Sequence, residues 1–134
     1  MGFNLAKIDA AKEKDIEITV PLSVNTFEED ANGQPINVDV KHIFHIPTTF
    51  MREKHQQMLV KVRGKNVKAQ GTIEANIWLW KSCIVRVEGY DNLPAGDAWK
   101  NLFEDSSILR IHAENAINGL MNYIDASEGD ITKK

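Results

Sequence analysis

Between Ile73 and Tyr90 the chain carries apolar residues at Ile73, Ile77, Trp80, Ile84 and Val87, spacings of four, three, four and three. Those spacings trace one stripe of an α-helix. Trp78, Leu79, Cys83 and Val85 fall off the stripe and are apolar as well. Ile, Val and Trp also favour sheets, but the length and spacing of the run favour a helix over Ile73–Val87, stopped by Gly89. A helix that is apolar nearly all round must be covered on several sides. In 134 residues the rest of the fold supplies only part of that cover. The segment reads as a central core helix or as a helix completed by another chain.

The stretches on either side define what could provide the cover. Asp15–Leu22 alternates, with Ile16, Ile18, Val20 and Leu22 on one face, and Ile36–Ile46 alternates through Ile36, Val38, Val40, His42, Phe44 and Ile46. Both patterns predict half-buried strands. Asn25–Pro35 lies between them, with Asn32-Gly33 as a turn signal, so the pair reads as an antiparallel hairpin with a long acidic loop. After Pro47, Thr48 or Thr49 caps a helix reaching about Val62, with Met51, His55, Met58, Leu59 and Val62 on one face. Arg63–Gly71 is polar, basic and bounded by glycines, and reads as a mobile connector.

Beyond Tyr90, Asp97 is placed to cap a short helix with Trp99, Leu102 and Phe103 on one side. Asp105 or Ser106 caps a last helix to about Ile124, whose stripe runs Leu109, Ala113, Ala116, Leu120 and Ile124, widened by Ile108, Ile117 and Met121. Gly119 in its interior costs about 1 kcal/mol against alanine, which points to close packing there. The expected architecture is α+β. An N-terminal antiparallel hairpin (15–46) precedes a helical C-terminal half (48–125) of about four helices. Residues 1–14 read as a short helix or loose arm and 126–134 as a frayed tail, all within one domain.

Composition removes several function classes. The net charge of −3 provides no basic field for nucleic acid or an anionic membrane. Met1–Lys14 has no apolar run of the kind a signal peptide needs, and Lys81 and Arg86 interrupt the longest apolar run before it could span a bilayer. With Cys83 alone, no intramolecular disulfide can form, and a reducing, cytoplasmic compartment fits best.

Chemistry is sparse. His42 and His45 are three apart on a strand and point to opposite faces, so they cannot share an ion there. His55 and His112 stand on separate helices without patterned ligands. Cys83 lacks a His partner and reads as a buried structural thiol. Glu28, Glu29 and Asp30 lack the oxygen-ligand spacing of a calcium loop. No phosphate loop, nucleophile elbow or dinucleotide fingerprint occurs. The reading is therefore no catalytic residue, no metal and no cofactor.

The aromatic residues suit binding instead. Trp78 and Trp80 are two apart, so on a helix one can enter the core while the other is left near the surface. The stripe through Ile77, Trp80 and Ile84 is expected to hold the domain together, and the side around Trp78 and Val85 to meet another chain. Trp99 and Phe103 form a second aromatic ridge. The candidate partner-binding residues are Trp78, Val85, Trp99, Phe103 and Met121.

An aromatic helix ending in Val85-Arg-Val-Glu-Gly-Tyr-Asp-Asn is followed by a Pro-containing loop and a short Trp/Phe helix. A final helix, Ile108–Ile124, is rich in Ile, Ala and Asn. Over roughly Glu74–Asp125 this arrangement resembles the tail assembly chaperones of long, non-contractile-tailed bacteriophages. The hairpin, Ile16–Ile46, matches only in general character. The resemblance implies a non-enzymatic protein of the host cytoplasm that self-associates and coats the tape-measure protein. It is displaced as tube subunits add and is absent from the mature virion. It also implies a longer product, made by frameshifting near the end of the shorter one, that recruits tail tube protein. Lys133-Lys134 is what an adenine-rich slippery run encodes. The alternative is a structural tail-completion or connector subunit. A third reading is a small enzyme built around His42 or His112.

Overall fold

A computed structural model describes residues 16–63 and 69–132. The expectations for 1–14, and for the 64–68 part of the Arg63–Gly71 connector, lie outside the described residues; the ends of that connector are helical instead, Arg63 closing α1 and Ala69–Gly71 opening α2. The described chain is an α+β fold. It runs β1 (Glu17–Glu29), β2 (Pro35–His45), α1 (Thr49–Arg63), α2 (Ala69–Cys83), β3 (Ile84–Glu88), α3 (Ala98–Asp105) and α4 (Ser107–Thr132). The strands form one antiparallel sheet in the order β1-β2-β3.

The hairpin forms where the alternation predicts it, with Ile18 opposite Phe44, Val20 opposite His42 and Leu22 opposite Val40. It is longer than the alternation suggests. β1 continues to Glu29 through an irregularity between Asn25 and Glu29, so the expected long loop shrinks to a turn over 30–34. That turn is closed by the Gly33 N–H donating to the Asp30 carbonyl at 3.0 Å. The Asp30 carboxylate accepts from the N–H groups of Asn32 and Gln34. Here local side-chain-to-backbone bonds do the work of a longer loop.

The segment after Ile73 departs from the sequence reading. Its helix ends at Cys83, and Ile84–Glu88 is a third strand along β2, with Val87 opposite His42 and Arg86 opposite Ile43. The helical stripe survives because Ile84 enters the core from the strand as it would have from a helix. The β-branched run Ile84, Val85 and Val87 pairs with β2 where helix propensity gives out. Gly89 therefore follows a strand instead of ending a helix. Its φ is +94°, and a Cβ there would lie 2.8 Å from the Asp39 carbonyl oxygen. Only glycine fits that conformation and that approach.

The helix ends are set by short polar side chains. Thr48 Oγ1 accepts the Met51 N–H at the start of α1. Ser106 N–H donates to the Leu102 carbonyl to close α3, and its Oγ accepts the Leu109 N–H to open α4. Asp97 precedes α3 without a side-chain cap, and its carbonyl accepts the Lys100 N–H instead. α4 continues past Ile124 to Thr132, so the helix is longer than the expected stripe and takes in most of the tail read as frayed.

The core lies between the sheet and α2, α3 and α4. Trp80, Phe44, Phe103, Leu79, Ile117 and Leu120 are fully buried, with Ala113 and Ala116 where α4 approaches most closely. Gly119 lets α4 meet β1, since a Cβ there would lie 2.6 Å from Val20 Cγ1. Ile108, expected to widen the α4 stripe, stays exposed.

Candidate functional site

The expected division of α2 is found. Trp80 is fully buried and stacks on Phe103, with ring centroids 4.9 Å apart, and Trp99 meets Trp80 edge-on at 5.9 Å. Trp78 is half-buried on the other side of the helix, and the Lys54 ammonium from α1 sits 4.8 Å from its ring centroid. Phe103, read as a partner-binding candidate, lies inside the core, where another chain could touch it only by opening the domain. Trp99 is half-buried against it. Val85 is half-buried too, but at the irregularity where β3 shifts register against β2, not on a helix with Trp78. The expected joint face of Trp78 and Val85 on one helix therefore does not exist.

Two histidines that the sequence keeps apart meet through a tyrosine. The Trp80 indole N–H donates to His42 Nδ1 at 3.0 Å. That leaves the neutral ring's proton on Nε2, which reaches the Tyr90 hydroxyl at 2.9 Å. The hydroxyl then donates to His112 Nδ1 at 3.0 Å. The chain ties α2, β2, the segment after β3 and α4 together, and it satisfies both ring nitrogens of His42. Burial, and then the nearby His112, push His42 from 6.5 down to about 3. Burial also lowers His112 and raises Tyr90. At neutral pH the whole chain is uncharged. Spacing gave no sign of it, because residues 42, 90 and 112 lie on three separate elements.

Cys83 is buried beside Met51 Sδ at 3.8 Å, and burial raises its thiol to about 12, so it is held as the inert protonated form. His55 is buried on α1, and its Nε2 donates to Asn76 Oδ1 on α2 at 2.9 Å. Among the described residues no group of three His, Cys, Asp or Glu side chains is gathered as a metal site would need. No helix there is long and apolar enough to cross a membrane.

Among the described residues two open grooves lie on the helical layer. One, of about 620 Å³, runs between α2 and the α3–α4 junction and is lined by Ile77, Trp78, Lys81, Glu104 and Arg110, with Glu74, Ser82 and Asp105 completing its walls. Lys81 and Glu104 pair with each other across it. The Arg110 Nε is buried and has no acceptor. An unmet buried N–H costs about 1–3 kcal/mol, so this wall favours a ligand that brings an acceptor. The other groove, of about 400 Å³, lies between α1 and α4, with Met121 and Asp125 facing Thr49, Arg52, Gln56 and Gln57. Of the five partner-binding candidates, Trp78 lines the first of these grooves and Met121 the second.

No protein-family model, curated protein or solved structure matches this chain.

Proposed function

We propose that this chain is a non-enzymatic phage tail assembly chaperone that binds the tape-measure protein and associates with copies of itself. The observation that carries the reading is the pair of separate grooves. Trp78 lines one and Met121 the other, which gives two partners two places to bind. A helical client fits the α1–α4 groove. There a flexible methionine sits among amide and charged side chains, a surface that can adapt to an amphipathic helix and release it again. The histidine chain supports the same reading from the other side. His42 is neutral, fully buried and bonded at both ring nitrogens, which suits a scaffold better than a general base. In this reading the protein works in the host cytoplasm and leaves before the virion is complete. A longer frameshift product would bring tail tube protein to the same assembly.

The test is co-expression with the long, coiled-coil-rich reading frame expected next to this one. The two products should co-purify, and Met121→Asp should weaken capture by at least about tenfold, as loss of an interface anchor does. Failure to co-purify would sink the chaperone reading. The second reading, a tail-completion or connector subunit, draws on the hairpin that projects from the sheet, a shape suited to packing between neighbours. Finding the chain in purified virions would favour it.

A further inference from the structure

The polarity of the histidine–tyrosine chain is set at one end. The Trp80 indole is a donor and nothing else. Its N–H makes His42 Nδ1 an acceptor and puts the His42 proton on Nε2. Nε2–H donates to the Tyr90 hydroxyl, which turns its own proton to His112 Nδ1. Each donor has one acceptor, and the direction runs from α2 to α4. That order leaves no place for an added proton. On His42 it would sit on Nδ1, against the Trp80 N–H. On His112 it would also sit on Nδ1, against the Tyr90 hydroxyl. The Tyr90 oxygen would then face two N–H donors, and its own proton would lose its acceptor.

The two histidines differ in how easily a proton reaches them. His42 is fully buried and bonded at both ring nitrogens, whereas His112 is half-buried at the far end of the chain. Burial lowers both, His42 to about 3. His112 is the end at which acid enters. Charges able to hold or repel a proton there face elsewhere. On β2, Asp39, Lys41 and His45 alternate with His42 and point to the other face of the sheet. Glu17 of β1 and Glu88 of β3 pair with Arg86 on that outer face. Lys81 of α2 pairs with Glu104 of α3, and Glu74, Asp105 and Arg110 line the same groove beside Trp78. Lys100 of α3 lies by the Trp99 ring, and Cys83 of α2 is held protonated beside Met51. On α4 itself Glu114, like Arg110, stands two positions from His112 and so on another side of the helix. Asp91 and Asp97, on the segment that carries Tyr90, are exposed. What His112 meets is Tyr90 and, behind it, His42.

Tyr90 is also a tether. Segment 89–97 joins β3 to α3 and contains neither helix nor strand. Within it Tyr90 and Leu93 are the side chains that pack on the core, and the rest are exposed. The Tyr90 ring meets Phe103 edge-on at 5.2 Å, and its hydroxyl carries the bonds to β2 and α4. A segment with so few buried contacts opens at lower cost than the elements on either side of it. We propose that this arrangement is an acid-sensitive latch: a proton taken up at His112 breaks its bond to Tyr90 and frees segment 89–97 from α4, while the sheet and the helices stay folded. The latch closes again when His112 gives up the proton. It is a property of the scaffold and does not depend on the function proposed above.

The test follows the full chain from about pH 7.5 down to about pH 4, a range that ends before His42 titrates. Histidine ring resonances report which ring takes up the proton. Hydrogen exchange, corrected for the pH dependence of intrinsic exchange, reports opening peptide by peptide. His112 should titrate below 6.5 while His42 stays neutral. Exchange in segment 89–97 should rise at least about tenfold in step with His112, the scale of one unmet buried donor, with β1, β2 and α2 still protected. His112→Asn is the deciding variant. Its amide oxygen takes the place of Nδ1, accepts the Tyr90 proton and cannot titrate, so that chain should stay closed over the same range. Tyr90→Phe removes the latch, and its segment should be equally open at both ends of the range. Protonation of His112 without opening, a first proton on His42, or loss of protection across the whole fold at once would each overturn the proposal. So would opening of His112→Asn at the same pH as the wild type. If a variant fails to fold, the paired readouts on the wild type still decide.

Discussion

The two ends of the β1–β2 hairpin share one alternating pattern and have different surroundings. At the base, Ile18, Val20, His42 and Phe44 are buried under the helices, and α4 comes so close that only a glycine fits against Val20. Further out the same face of the sheet continues with Leu22, Val24 and Ile36, half-buried, and Val38, 41% exposed. The alternation is written identically into both halves, and what differs is the length of helix available to cover it. Period-two patterning therefore marks a face meant to be covered without saying by what. The base is covered within the chain, and the tip is free for something else.

The largest effect that tests this contrast belongs to Trp80. Trp80→Ala should cost about 3–5 kcal/mol by urea denaturation, as large-to-small core changes do. It also removes the donor that satisfies His42 Nδ1. A loss below about 1 kcal/mol would show that the base is less tightly packed than its burial indicates.

Next comes pH. His42 falls from 6.5 to about 3 on folding, so between those values the unfolded chain binds more protons than the folded one. Stability should be intact above about pH 7 and fall as pH drops below 6.5, by up to about 1.4 kcal/mol per unit. Burial of His112 acts in the same direction. Urea midpoints at about pH 7.5 and about pH 5 check this. Equal midpoints would mean that His42 takes up its proton within the fold.

Gly119→Ala gives a smaller effect with an informative sign. On an exposed helix it would stabilise by about 1 kcal/mol, but here the added carbon meets Val20 at 2.6 Å. Overpacking of about 1–3 kcal/mol should win, and Val20→Ala in the same chain should relieve part of it. A net gain in stability would show that β1 moves aside freely. The smallest change is expected at the tip, where Val38→Thr should alter monomer stability by no more than about 0.5 kcal/mol. A cost comparable to that of Gly119→Ala would erase the distinction between base and tip.

The elements that the sequence revealed are those whose signals are local. The hairpin, the Thr48 cap, the Ser106 cap and the buried stripe of α4 each follow from residues a few positions apart. Ile84–Glu88 was misread because Ile84 and Val87 satisfy both a helical stripe and a β-branched strand, and only pairing with β2 separates the two. The Asn25–Glu29 irregularity was hidden for a related reason, since polar turn formers there bond across the strands instead of opening a loop. Of the candidate site, the opposed tryptophans were legible from their spacing. The histidine chain was not, because Tyr90 links His42 and His112 only once four elements are in place.

The junction of α2 and β3 carries a consequence for the order of folding. Cys83 ends the helix and Ile84 begins the strand, with no linking residue between them. β1 and β2 are joined by a short turn and can pair early. β3 must wait until the chain has run out through α1 and come back through α2, a closure with a much larger entropic cost. The third strand is thus delivered by its helix, already oriented, and its register is fixed when Trp80 docks. Pulsed hydrogen exchange during refolding should protect the β1–β2 amides before those that join β2 to β3, and simultaneous protection would show that the sheet forms as one piece.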